Sequence, residues 1–91
     1  MKNHERQLLK AAAKGSVSAF EELTEPYQKK VYNFMLKSCG DELEAYKLTM
    51  DVFVKVFEMM MSGEGCSVPF MIYKTAGELS RQTRSIAKKI S

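Results

Sequence analysis

The apolar pattern between Asp41 and Met61 constrains the fold more than any other feature of the sequence. Its inward-facing residues recur at three- and four-residue steps, the spacing that places side chains on one face of an α-helix. They are Ala45, Leu48, Thr49, Val52, Phe53, Val56 and Met60. Asp41 is a good N-cap residue, and Glu44 completes a capping box with it. We expect a helix from Asp41 to Met61 or Ser62 with one buried face.

The chain before Asp41 predicts two further helices. The first covers residues 4–14 and ends at Gly15, which can adopt a left-handed backbone conformation. The second starts near Ser16 or Ser18, where Ser18 and Glu21 fit a capping box, and it ends before Gly40. The apolar face of this second helix consists of Phe20, Leu23, Tyr27, Val31, Phe34 and Met35.

Two prolines modify this pattern. Pro26 lies inside the second helix and lacks the backbone N–H, so we expect a kink or an interruption near Thr24 or Glu25. Pro69 follows a loop at residues 62–69 and suits the first turn of a fourth helix. The apolar face of that helix would contain Ile72, Ala76, Leu79, Thr83, Ile86 and Ile90.

These segments predict an all-α fold, a compact bundle of about four helices in which residues 1–91 form a single domain. The sequence has 91 residues, and no apolar run approaches the ~20 residues that a membrane span needs. The first residues also lack the apolar core of a signal peptide. We therefore expect a cytoplasmic protein that does not bind a membrane.

The side chains argue against an enzyme or a metalloprotein. His4 is the only histidine, and the two cysteines, Cys39 and Cys66, form no CxxC pair. This set supplies neither zinc-ligand spacing nor a nucleophile with a histidine base. We therefore expect no enzymatic activity, no metal site and no cofactor.

Charge is distributed unevenly along the chain. Residues 41–58 contain five acidic and two basic side chains, whereas residues 74–91 contain five basic and one acidic. An acidic middle followed by a basic end indicates two surfaces with different partners.

The order of residues resembles the second conserved region of an extracytoplasmic-function sigma factor, a branch of the sigma-seventy family. Residues 8–45 are similar to the opening of such a factor and read LLKAAAKGSVSAFEELTEPYQKKVYNFMLKSCGDELEA. Residues 47–58, KLTMDVFVKVFE, resemble the helix that carries the family's acidic-Leu-Thr-Gln-acidic-Val-Phe pattern. Residues 63–79, GEGCSVPFMIYKTAGEL, resemble more loosely its Gly-rich loop and DNA-facing helix. The resemblance extends over residues 8–89.

The resemblance implies a function in transcription initiation. Domains of this family dock on the clamp coiled coil of bacterial RNA polymerase and capture the non-template strand of the promoter minus-ten element. A complete factor also has a second helical domain that reads the minus-thirty-five element, and we expect no such domain within this sequence. An anti-sigma factor would be a further possible partner.

The resemblance places the polymerase-binding site on the outer face of the third helix. Its residues would be Lys47, Met50, Asp51, Val54, Lys55 and Glu58. Apolar side chains among charges on an outer face are typical of a protein interface. Two positions depart from the family, because Lys47 stands where an acidic residue is usual and Met50 stands where a glutamine is usual.

The resemblance places the DNA-binding site on the fourth helix, beside a base-capture loop at residues 62–68. Its residues would be Phe70, Met71, Tyr73, Lys74, Glu78, Arg81, Arg84 and Lys88. Single-stranded DNA requires cations for its phosphates and flat side chains for its bases, and this set contains both. Met71 stands where the family usually has a tryptophan, and Glu78 where an asparagine is common.

Two alternatives remain open at this stage. Phe70 and Tyr73 could belong to the core, in which case the basic residues would only solvate the end of a helix. The whole domain could also be a sigma-like interaction module without promoter reading, which binds an anti-sigma protein or a partial sigma subunit. The missing tryptophan and the reversed charge at Lys47 favour that second function.

Overall fold

The computed structural model describes the backbone of residues 2–63 and 67–90 and the side chains of residues 4–63 and 67–81. It contains four α-helices: α1 (Lys2–Ala13), α2 (Val17–Cys39), α3 (Glu42–Met61) and α4 (Val68–Ile90). No β-strand occurs in these two stretches of backbone. The predicted all-α bundle of about four helices is confirmed.

Two glycines end the first two helices as the sequence predicts. Gly15 has φ 103°, its N–H donates to the carbonyl of Ala12, and the N–H of Ser16 donates to that of Ala11. This pair of bonds is a Schellman motif, which satisfies the carbonyls left free at the end of α1. Gly40 has φ 71° and donates to the carbonyl of Leu36 at 2.8 Å, which closes α2.

The starts of the helices agree only in part with the sequence prediction. Ser16 caps α2, because its hydroxyl accepts a hydrogen bond from the N–H of Ala19 at 3.2 Å, so the predicted capping box at Ser18 is wrong. Asp41 caps α3 as predicted, through the N–H of Leu43, but in the described part of the chain no hydrogen bond from Glu44 completes the predicted capping box. At the start of α4, the hydroxyl of Ser67 accepts from the N–H of Phe70.

Helix α2 continues without a break through Pro26, so of the two predicted effects the interruption is wrong, and the kink stays a prediction. The carbonyl that loses its helical partner is that of Glu22, four residues earlier. Both Pro26 and Glu22 are exposed, and water can therefore bind that carbonyl. On the buried side, the hydroxyl of Thr24 donates to the carbonyl of Phe20 at 2.9 Å.

Helix α3, like α2, packs against each of the other three helices. Its buried residues, Ala45, Leu48, Val52, Val56 and Met60, confirm the predicted face. They meet Ala12 of α1, Phe20, Val31 and Met35 of α2, and Val68, Met71, Ile72, Ala76 and Leu79 of α4 in one core. The ring of Phe20 stacks on that of Phe57 at 4.7 Å between centroids.

One predicted core residue is not in the core. The side chain of Phe34 is 44% exposed, whereas Val31 and Met35 beside it are buried. Because residues on a helix advance by about 100°, Phe34 lies next to the inward-facing stripe but outside it. The tertiary packing, which the apolar period alone does not reveal, decides this position.

Candidate nucleic-acid and protein-binding surfaces

The outer face of α4 carries two exposed aromatic rings beside basic side chains. Phe70 is 56% exposed and Tyr73 is 50% exposed. The ammonium group of Lys74 lies 6.0 Å from the centroid of the Phe70 ring, and Arg81 is also exposed. At about 100° per residue, Phe70, Lys74 and Arg81 fall within about 40° of one another around the helix. The alternative that Phe70 and Tyr73 are core residues is therefore wrong.

Met71 does not belong to this surface. Its side chain is only 2% exposed and lies in the core with Ile72 and Ala76. One residue after Phe70, it points about 100° away from the outer face. The prediction that Met71 contacts DNA is therefore wrong, and its function is packing.

Glu78 lies at the side of α4 that is next to α3. Together with Lys55, Glu58 and Thr75 it lines a shallow depression between the two helices. Tyr73 faces the other neighbour, α2, and its ring meets that of Tyr27 edge-on at 6.2 Å. The carboxylate of Glu78 and the ring of Tyr73 thus lie on different sides of α4. Glu78 is, however, only about 40° from Lys74 and about 60° from Arg81 around the helix, so the acid borders the basic side chains of this surface.

The remaining predicted DNA contacts cannot be placed on a surface. The side chains of Arg84 and Lys88 lie outside the described residues, as do residues 64–66 of the predicted base-capture loop. Within the described part of that loop, Gly63 has φ 82°.

All six predicted polymerase-binding residues of α3 are exposed, but they do not form one patch. Met50 and Val54, which are 50% and 52% exposed, line a groove between α2 and α3. Lys55 and Glu58 line the depression between α3 and α4. Lys47 and Asp51 lie in neither concavity. The predicted site therefore forms a ridge with a different concavity on each side.

The groove between α2 and α3 has a volume of about 950 Å³. Its α3 wall is apolar and includes Tyr46, Met50, Phe53, Val54 and Phe57. Its α2 wall carries Glu21, Glu22 and Glu25 together with Lys29, Tyr32 and Val17. A groove with an apolar α3 wall and acidic residues on its α2 wall suits an amphipathic partner that carries basic side chains.

The sequence interpretation missed most of this groove. Tyr46 is 58% exposed and Val17 is 57% exposed, and neither was considered as a binding residue. A signal was present, because Tyr46, Met50, Phe53 and Phe57 form a second apolar stripe on α3 at steps of three and four residues. Phe53 and Phe57 of this stripe pack against Phe20 of α2, whereas Tyr46 and Met50 stay half exposed.

The described side chains show no preformed centre for metal binding. Residues 4–63 and 67–81 contain no cluster of three or more His, Cys, Asp or Glu residues that could hold a metal ion. His4 lies at 3.1 Å from the carboxylate of Glu22 and joins α1 to α2 at the surface. In the same part of the chain, no helix combines the length and apolar character required to cross a membrane.

No protein-family model, no curated protein and no solved structure matches this chain.

Proposed function

We propose that this chain is a sigma-factor-like domain for transcription initiation, which binds the polymerase core through α3 and unpaired promoter bases through α4. The observation that carries the proposal is the pair of half-exposed rings, Phe70 and Tyr73, on a face of α4 that also presents Lys74 and Arg81. An exposed aromatic ring forgoes the stabilisation that burial of its apolar area would give. Two half-exposed rings on one helix of a small domain therefore support a binding function for that surface.

The chemistry of these groups suits unpaired bases better than a closed duplex. Every base has a flat face that can stack on an aromatic ring, but in duplex DNA that face is covered by its neighbours. Rings on the surface of a helix can therefore bind bases only when the duplex is open. Lys74 and Arg81 would contact the phosphates on either side of a stacked base.

The polymerase-binding half of the proposal rests on the ridge of α3. Met50 and Val54 expose apolar area among charged side chains, as residues at the centre of a protein interface do. The adjoining groove would accept a helix of the partner, and the acidic residues on its α2 wall would attract basic side chains. The clamp coiled coil that the family resemblance names is a helical partner of this kind.

Crossed variants test the two halves separately. Val54→Asp places a charge in the groove, and Phe70→Asp places one on α4, at two apolar positions of similar exposure. We expect Val54→Asp to abolish comigration with bacterial RNA polymerase core in size-exclusion chromatography while binding of a minus-ten oligonucleotide persists. Phe70→Asp should abolish binding of the oligonucleotide while comigration with the polymerase core persists. Oligonucleotide binding is measured by fluorescence anisotropy against scrambled sequences at two salt concentrations.

The outcomes decide the proposal. Preference for the minus-ten sequence over the scrambled one, with affinity that falls steeply as salt rises, supports promoter reading. Equal binding of both sequences would contradict promoter reading, and failure of the unmodified domain to bind the polymerase would contradict the other half. Loss of both activities in both variants would show that the two surfaces are not independent.

A second candidate function follows from the size and character of the α2–α3 groove. An interaction module that has lost promoter reading would need only this groove, with its apolar α3 wall and the acidic residues of its α2 wall, to bind a protein partner. This candidate predicts that Phe70→Asp leaves all binding unchanged and that Val54→Asp removes it. The same pair of variants therefore separates it from the sigma-like function.

A further inference from the structure

Helix α2 carries its own row of alternating aromatic and basic side chains. Tyr27, Lys30, Phe34 and Lys37 follow one another at steps of three, four and three residues, so they share one side of the helix. Lys30 and Lys37 are exposed, Phe34 is 44% exposed and Tyr27 is half-buried. The sequence interpretation assigned Tyr27 and Phe34 to the core and gave the two lysines no function.

Contacts between helices place this row beside α4. The ring of Tyr27 meets that of Tyr73 edge-on at 6.2 Å between centroids. Further along, the hydroxyl of Ser80 donates a hydrogen bond to that of Ser38 at 2.7 Å. Both contacts lie on the same side of α2 as the row, because residues 27, 34 and 38 follow steps of seven and four. The two helices therefore run side by side from Tyr27 to Ser38, a distance of about 16 Å.

The basic groups of this row have no acidic partner. Among the side chains that the structure describes, the one ion pair joins His4 to Glu22, so Lys30 and Lys37 form none there. All three acids of α2, Glu21, Glu22 and Glu25, line the groove on the α3 side of the helix. The charged side chains of the row beside α4 are thus all basic.

We infer that α2 forms the second half of the nucleic-acid surface, so that one strand of unpaired DNA lies along the seam between two helices. This α2–α4 face consists of Tyr27, Lys30, Phe34 and Lys37 with Tyr73 and Arg81. The inference rests on the proposed function and adds the path of the strand. Phe34 supplies a stacking ring beyond the Tyr27–Tyr73 pair, and Lys30 and Lys37 contact phosphates that α4 alone does not reach.

Adjacent lysines on α2 provide a matched test. Lys30→Glu changes a residue of the α2–α4 face, whereas Lys29→Glu makes the same change at an exposed lysine in the groove on the α3 side. Because both variants change the net charge equally, any difference in DNA affinity between them is due to the position of the lysine on the helix. We expect Lys30→Glu to weaken binding of a fluorescent single-stranded DNA oligonucleotide about tenfold at low salt, and Lys29→Glu to weaken it less than twofold. A plot of the logarithm of the association constant against the logarithm of the salt concentration should become less steep by about 0.7 in Lys30→Glu but not in Lys29→Glu.

A second pair of variants tests stacking without a change of charge. Phe34→Ala on α2 should weaken binding about tenfold, and Tyr46→Ala in the α3 groove should leave it unchanged. Both rings are about half exposed, so both variants are expected to stay folded, which a thermal melt verifies.

The results distinguish failure of the inference from failure of the proposed function. If Arg81→Glu abolishes DNA binding while Lys30→Glu and Lys29→Glu behave alike, the strand lies on α4 only and the inference is wrong, although the proposed function stands. If the unmodified domain fails to bind single-stranded DNA at low salt, both are wrong.

Discussion

Exchange of Met71 for alanine tests the division between packing and recognition on α4. Met71 is 2% exposed in the core, whereas Tyr73, two residues later, is 50% exposed. Removal of a buried methionine side chain costs about 2–5 kcal/mol through lost burial and the cavity that remains. A domain of this length has a free energy of unfolding of roughly 5–14 kcal/mol, so Met71→Ala should remove a large part of it.

Tyr73→Ala is the contrasting change. Its ring loses the edge-on contact with Tyr27, which is worth about 0.5–1.5 kcal/mol, and the burial of the half of the side chain that solvent does not reach. The unfolding free energy should therefore fall by about 1–2 kcal/mol, less than in Met71→Ala. Binding of single-stranded DNA should weaken as well, because one stacked base contributes about 1–3 kcal/mol, or roughly 5- to 150-fold in affinity.

Urea denaturation and fluorescence anisotropy measure the two effects on the same samples. With an m-value of about 1–3 kcal/mol/M, Met71→Ala should lower the urea midpoint by roughly 1–2 M or more. Met71→Leu, which nearly conserves volume, should cost less than about 1.5 kcal/mol and keep DNA affinity within twofold. The reasoning is refuted if Met71→Leu loses DNA binding while it stays folded, or if Tyr73→Ala destabilises the domain as much as Met71→Ala does.

Three further predictions concern the backbone of the helices, and thermal or urea denaturation checks each of them. Ser16→Ala should cost about 1 kcal/mol because the N–H of Ala19 loses its acceptor, whereas Ser18→Ala should change stability by less than 0.5 kcal/mol or so. Gly40→Ala should cost about 1 kcal/mol because φ is 71° there, and equal stability would contradict the αL cap. Gly77→Ala should stabilise by about 0.5–1 kcal/mol, since a Cβ at this helical position meets nothing within 4 Å, and destabilisation would show a contact that the structure lacks.

The helices and most of the core could be predicted from the sequence. On α3, the three- and four-residue period and the cap at Asp41 act locally, so they determine the helix and its buried face together. Gly15 and Gly40 end their helices by a backbone preference that also needs no distant contact. These are features in which local and tertiary forces agree.

The surfaces could be predicted only in part, because they depend on which neighbour covers each side of a helix. Two residues show the two possible errors. Met71 is expected on the surface but is buried, and Phe34 is expected in the core but is about half exposed. The period of a helix gives the order of side chains around it, but the angle at which α2 and α4 meet decides which of two adjacent positions is buried.

The division of the predicted polymerase-binding residues between two concavities has the same origin. Met50 and Lys55 are both exposed residues of α3, and a helical projection places them about 140° apart. Only the positions of α2 and α4 show that one faces the groove and the other the depression. The α2–α4 face likewise combines residues more than thirty positions apart in the sequence, which no local pattern connects.

Amide chemical-shift mapping tests most directly whether unpaired DNA lies along the seam between α2 and α4. A ¹⁵N-labelled domain is titrated with a single-stranded oligonucleotide at low salt and the perturbed amides are assigned. The largest shifts are predicted at Lys30, Phe34, Tyr73 and Arg81, with little change at Lys29 or along the groove wall near Tyr46. Shifts confined to the α2–α3 groove, or absent from α2 and α4 altogether, would contradict the proposed nucleic-acid surface.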